Sequence, residues 1–122
     1  MAKDQETSIH ELKEKIKSFC EARDWDKFHN AKDLAIALSI EASELLEHFR
    51  WKDEKEVSTL FENPEKREKI EDEIADVLYF LVRLSQRYNI DLSEALTRKI
   101  EKNEKKYPVE KIKVSNKKYN EV

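Results

Sequence analysis

Not one glycine occurs among the 122 residues of this chain, and there are only two prolines. Tight hairpins draw on glycine for the positive backbone angles of their turns, so β-hairpin architectures are disfavoured. A glycine-rich phosphate loop of the P-loop or dinucleotide-binding type is excluded outright. Charged residues make up 42% of the chain and apolar residues 39%, a mixture that suits long amphipathic helices. The expected fold class is all-α, a four-helix bundle-like arrangement with one short connecting helix. The length suits one domain with a real core, residues 1–122, and no second module.

Helix signals follow one another along the chain. Ser8-x-x-Glu11 is a capping box, and Ile9, Leu12, Ile16 and Phe19 recur behind it at spacings of three and four. That stripe, which also carries Cys20 as an expected core residue, ends near Asp24-Trp25. Asn30-x-x-Asp33 caps a second helix, roughly Ala31 to Phe49, that is apolar nearly all round from Leu34 to Ile40. A helix of that kind is expected to be central. Asp53 to Phe61 reads as the connecting helix. Asn63-Pro64 combines a capping side chain with proline at the first helical position, and it starts a long helix over about Pro64 to Tyr88. Asp91-x-x-Glu94 opens a final helix that runs toward Lys106 and stops near Pro108. The core is therefore placed at about residues 8–108, with residues 109–122 as a polar, basic tail, extended or ordered on contact.

A formal charge of −3 leaves no broad basic surface, so no nucleic-acid partner is expected. No apolar run approaches membrane-spanning length and the start, Met-Ala-Lys-Asp-Gln-Glu, is polar; neither a membrane nor a signal peptide is expected. The lone Cys20 makes no intrachain disulfide and suits a reducing compartment, so a cytoplasmic location is expected.

Two acidic pairs stand out, Glu41-Ala-Ser-Glu44 and Glu73-Ile-Ala-Asp76, with Asp72 preceding the second. Carboxylates three residues apart project from one helix face, about 60° apart in projection. Leu34, Leu38, Ile40, Leu45 and Leu46 surround the first pair, and Ile74, Val77, Leu78, Phe80 and Leu81 the second. Ionised groups pointing into a core cost several kcal/mol unless paired or metal-bound. On facing helices the two pairs would supply four carboxylate arms to a hard divalent cation. No Glu-x-x-His motif occurs at either pair, and an all-oxygen set points to Mg²⁺, with Mn²⁺ as the second choice, and away from iron or zinc. Ion pairing with Lys and Arg on neighbouring helices is the structural alternative. Glu47 has swung about 120° from Glu41 and reads as a supporting residue. Asp72 reads as a cap or a surface ion-pair partner.

Six ordered motifs carry a resemblance: Arg23-Asp24-Trp25-x-x-Phe28-His29, Glu41-x-x-Glu44-Leu45, Phe49-x-Trp51-Lys52, Glu73-x-x-Asp76-Val77-Leu78, Lys99-x-x-x-Asn103 and Tyr107-Pro108-Val109. Over about residues 9–110, and into the Lys118-Tyr119 tail, the chain resembles the all-α nucleoside triphosphate pyrophosphohydrolases, the MazG-like superfamily, and within it the dCTP pyrophosphatase-like branch. The resemblance implies cleavage of a (deoxy)nucleoside triphosphate between the α and β phosphates, giving the monophosphate and pyrophosphate. The expected task is nucleotide pool sanitation, with dCTP or its 5-modified analogues as substrate. It implies that Glu41, Glu44, Glu73 and Asp76 are metal ligands and that Glu44, with Glu41, orients or deprotonates the attacking water. Lys99 and Asn103 match positions that contact phosphate or sugar. Trp25, His29 and Trp51 match positions around the base, and Phe80 belongs to the same substrate-binding set. Two departures touch substrate choice: Phe80 stands where mammalian-type members have tyrosine, with Tyr79 beside it, and Ile16 stands where they carry histidine.

Helices with this much apolar surface exceed what one 122-residue bundle buries, and the resemblance likewise implies a homodimer or homotetramer. Two other classes remain open from the residues alone. One is a non-enzymatic helical interaction protein with structural acidic pairs; the other is an oxygen-ligated di-metal redox bundle.

Overall fold

The five longer helices each begin where a short polar side chain caps the first turn. In the computed structural model, which describes residues 2–112, Ser8 and Glu11 close the capping box of α1, Ile9–Ala22. Asn30 accepts from the Asp33 amide to open α2, Ala31–Glu47. Asp53 and Glu56 form a second capping box on α3, Glu54–Glu62. Asn63 caps α4, Pro64–Arg87, with proline in its first turn, and Asp91 caps α5, Leu92–Lys106. Such caps satisfy amide donors that the helix itself leaves unpaired. No strand occurs among the described residues.

Without glycine, the chain ends its helices on residues that tolerate a left-handed backbone. Asp24 (φ 54°) follows α1 and Asn89 (φ 55°) follows α4, and short polar side chains enter this region at least cost. At α1 the Asp24 and Trp25 amides donate to the Glu21 and Cys20 carbonyls, the double bond of a Schellman motif. Trp51 (φ 64°) is the third such residue, and for a bulky side chain that conformation costs about 1–2 kcal/mol.

Contacts divide the chain into two units, Met1–Asn89 and Ile90–Val122. In the first, α1, α2 and α3 each pack on α4. The α2–α4 pairing is antiparallel: the Ala31 amide meets the Tyr88 hydroxyl at one end and His48 approaches Glu73 at the other. Cys20, Leu34, Leu60, Ile70 and Val82 form the buried core. The second unit holds α5 and a single turn, α6, Val109–Ile112.

Three expectations change. The central helix is α4 and not α2; at 24 residues against 17 it has the length to take three partners, while Ile36 and Ile40 of α2 stay exposed. The second helix stops at Glu47, and Phe49 lies in the turn that leads to Trp51. The long helix, Pro64–Arg87 with Tyr88 as its C-cap, keeps its expected span. The tail expected at residues 109–122 starts with the α6 turn, made possible because Pro108 is favourable just before or within a first turn; residues 113–122, including Lys118-Tyr119, lie outside the described residues.

Candidate functional site

The antiparallel α2–α4 pairing brings the two acidic pairs together. Glu41, Glu73 and Asp76 each place one carboxylate oxygen within 4.8 Å of the others. Glu44 is exposed and outside that trio, yet it is near enough to bear on the Glu41 carboxyl. Oε2 of Glu41 and Oε2 of Glu73 are buried with no hydrogen-bond partner. Burial and then the proximity and charge of Glu44, with Asp76 and Glu73 behind, push the Glu41 carboxyl up to about 7. Like charges crowded in a poorly solvated place cannot all ionise without a counter-charge. Carboxylate oxygens alone, close together and incompletely partnered, fit a hard divalent cation such as Mg²⁺.

The setting differs from the expected core. Glu41 and Glu73 are half-buried, Glu44 and Asp76 are exposed, and the flanking Ile40 and Ile74 are 52% and 50% exposed. The cluster therefore sits at the rim of the α2–α4 pair, where a soluble ligand can reach it. Among the described residues, ion pairing, the alternative for these carboxylates, is limited to His48, whose Nε2 lies 3.9 Å from Glu73 Oε1. Glu47, expected to support the cluster, instead pairs with Arg50 at 3.1 Å on the surface, as its rotation away from Glu41 makes natural. His48 is the residue missed: it follows Glu44 by four positions, so the same i+3, i+4 logic that paired the acids places it on their face.

The aromatic residues build a second feature. The Schellman turn sets Trp25 edge-on to Phe19, ring centroids 5.5 Å apart, the apolar contact that accompanies this motif. From Trp25 the array continues to His29 at 6.1 Å on one side, and through Phe19 to Tyr79 and Phe80 on the other. Ile16 lines a depression of about 260 Å³ with Lys15, Phe19 and Tyr79. Tyr79 does not replace the hydroxyl that Phe80 lacks. Its OH lies 3.1 Å from Cys20 Sγ, and burial together with that bond pushes the phenol up. Trp51, beyond α2, is 87% exposed with the Arg50 guanidinium 5.0 Å from its ring. Lys99 and Asn103 lie one turn apart on α5, in the second unit, with Lys99 exposed.

Holding the Trp25–His29 turn is a set of bonds that the sequence did not suggest. Arg83 of α4, 2% exposed, donates from Nε to His29 Nδ1 at 3.0 Å, from Nη1 to Gln86 Oε1 at 2.6 Å, and from Nη2 to Asp26 Oδ1. Arg87 donates to the carbonyls of His29 and Asp26, and Gln86 to that of Lys13. Burial first, then the Arg83 charge, holds the His29 imidazole below its ordinary value of 6.5, with Asp26 opposing and Arg87 adding. A cation inside the apolar run Val77–Leu84 was the available signal.

A model of the MazG-like family matches residues 36–122. Among curated proteins, the chain is 33% identical to dCTP pyrophosphatase 1 of Homo sapiens over 117 residues, covering 96% of this chain and 69% of that protein. To the Bos taurus protein of the same name it is 34% identical over 104 residues, covering 85% and 62%. The chain thus spans about three fifths to two thirds of the length of these curated relatives. A crystal structure of a pyrophosphatase from Archaeoglobus fulgidus superposes with a TM-score of 0.78 at 38% identity, covering 88% of this chain and 99% of the other.

Proposed function

This chain belongs to the MazG-like family, and from that premise we propose that it is a divalent-metal-dependent nucleoside triphosphate pyrophosphohydrolase. One observation carries the reading. Two buried carboxylate oxygens without partners lie within a cluster of acids on facing helices, an arrangement that is costly until a cation joins it. The pyrophosphatase names of the relatives support the same reaction class.

Glu41, Glu44, Glu73 and Asp76 would hold Mg²⁺, or Mn²⁺ in its stead. When bound, the cation offsets the charge of a triphosphate and stabilises charge developing at the α phosphorus. Glu44, exposed and near Glu41, orients water toward the α phosphorus and accepts its proton. The bond between that phosphorus and the bridging oxygen breaks, releasing pyrophosphate and a nucleoside monophosphate. Lys99 and Asn103 contact phosphate or sugar. Trp25, His29, Trp51 and Phe80 surround the base, and dCTP or a modified dCTP is the proposed substrate. Discarding such a nucleotide before polymerisation is the proposed role, in the cytoplasm; no described helix is long and apolar enough to cross a membrane.

The working unit is a homodimer or homotetramer. Exposed Ile36, Ile40 and Leu46 on α2, with Ile74, Leu78 and Leu81 on α4, support this, because a lone copy leaves that apolar surface in water. The chemical test is pyrophosphate release from a panel of dNTPs and NTPs with Mg²⁺, beside Glu44→Gln. Release of pyrophosphate and monophosphate by the parent protein, lost in the variant, is expected. No release from any nucleotide by folded, Mg²⁺-loaded protein would sink the reading in favour of an interaction protein.

A further inference from the structure

An arginine side chain carries five N–H donors and no acceptor. Because Arg83 Nε meets His29 at Nδ1, that ring nitrogen must present its lone pair. The proton of the neutral imidazole is then on Nε2, and no hydrogen bond among the described residues engages that atom. The same guanidinium also reaches Asp26 and Gln86, so its plane is set by three partners at once. Arg87 fastens the backbone of the same turn through the His29 and Asp26 carbonyls.

We propose that Arg83 is a positioning residue for nucleotide recognition: it locks His29 as the Nε2–H tautomer beside Trp25, so the turn offers one fixed donor to an acceptor atom on the edge of a base. The final step rests on the nucleotide reading above; the tautomer does not. The groups facing the imidazole are Arg83 and Arg87 from α4 and Asp26 from its own turn. Two cations against one carboxylate favour the neutral ring, and protonation at Nδ1 would set N–H against N–H and break the Arg83 bond. A neutral ring next to an aromatic face suits an uncharged base carbonyl or unprotonated ring nitrogen better than a phosphate. It also disfavours an amino edge, since donor would meet donor, and unmatched polar groups discriminate strongly.

The test reads the His29 ring nitrogens by ¹⁵N NMR across a pH series in the full chain, for the parent and for Arg83→Met. In the parent a single neutral Nε2–H form is expected, persisting to below pH 6.5; in the variant, mixed tautomers and a higher midpoint. A proton on Nδ1 in the parent, or equal tautomers, overturns the proposal. The parent spectrum decides this by itself should the variant not fold. Equilibrium binding with Mg²⁺ then compares dCMP with inorganic pyrophosphate. Weakening of dCMP by roughly tenfold in Arg83→Met, about one lost hydrogen bond, with pyrophosphate unchanged, supports base recognition. Equal weakening of both overturns it. Failure of the parent to bind either overturns the nucleotide reading and the ligand step together, while the tautomer result stands on its own.

Discussion

Two polar clusters sit on α4, and they are opposites. Near the middle of the helix, Glu73 and Asp76 meet Glu41 of α2, and two buried oxygens go without partners. Toward its C-terminus, Arg83 and Arg87 meet the Asp26–His29 turn while Gln86 joins Arg83 to the Lys13 carbonyl, and every donor named there has an acceptor. The first cluster carries one sign of charge at a rim; the second balances cations against a carboxylate and carbonyls over a buried guanidinium. A fully partnered network holds structure in place, whereas a half-satisfied one stores a cost that a ligand relieves. The contrast suits the acid cluster to holding a ligand, as proposed above, and the arginine cluster to bracing the turn.

The sharpest way to break the contrast is to remove a charge from each side. Glu73→Gln is expected to lower pyrophosphate release by about 100-fold or more and to abolish stabilisation by Mg²⁺, while raising the melting temperature of the metal-free protein. A variant that melts lower and still responds to Mg²⁺ would erase the distinction. Arg83→Met should do the reverse, with unchanged Mg²⁺ stabilisation and a loss of about 2 kcal/mol in denaturant unfolding, because Asp26 and His29 lose their partner. The loss stays modest since Asp26 is itself partly exposed.

The two clusters also titrate in opposite senses. Folding raises Glu41 from 4.5 to about 7, so its protonated form favours the folded state below pH 4.5 and that contribution disappears as pH rises through 7. Folding lowers His29 from 6.5, so its contribution is present above 6.5 and disappears as pH falls through the lower value. Metal-free protein should therefore lose melting temperature on both limbs, with Glu41→Gln flattening the alkaline limb and His29→Gln the acid one. Smallest of all is the control pair: Arg50→Ala removes an exposed contact to Glu47 and should change stability by less than about 0.5 kcal/mol. A larger effect, read in the same unfolding assay, would show that Trp51, against which Arg50 packs, contributes to the fold.

The helices and both acidic pairs were legible from local signals. Caps at Ser8, Asn30, Asn63 and Asp91 act within one turn, and an i, i+3 pair of acids shares a face wherever the helix goes. His48 is legible in the same way, four residues after Glu44. What local rules do not reach is which helix faces which. Sequence determined that this chain is helical, that it carries two acidic faces, and that α2 has more apolar surface than one side of a helix needs. Only the tertiary structure decided that α4 is the hub and that the acids lie at a rim. It also decided that Tyr79 spends its hydroxyl on Cys20 and that Arg83 reaches back 54 residues to His29. Backbone hydrogen bonding and capping are settled within a few residues, while packing partners are chosen by shape and by the need to satisfy every buried polar group at once.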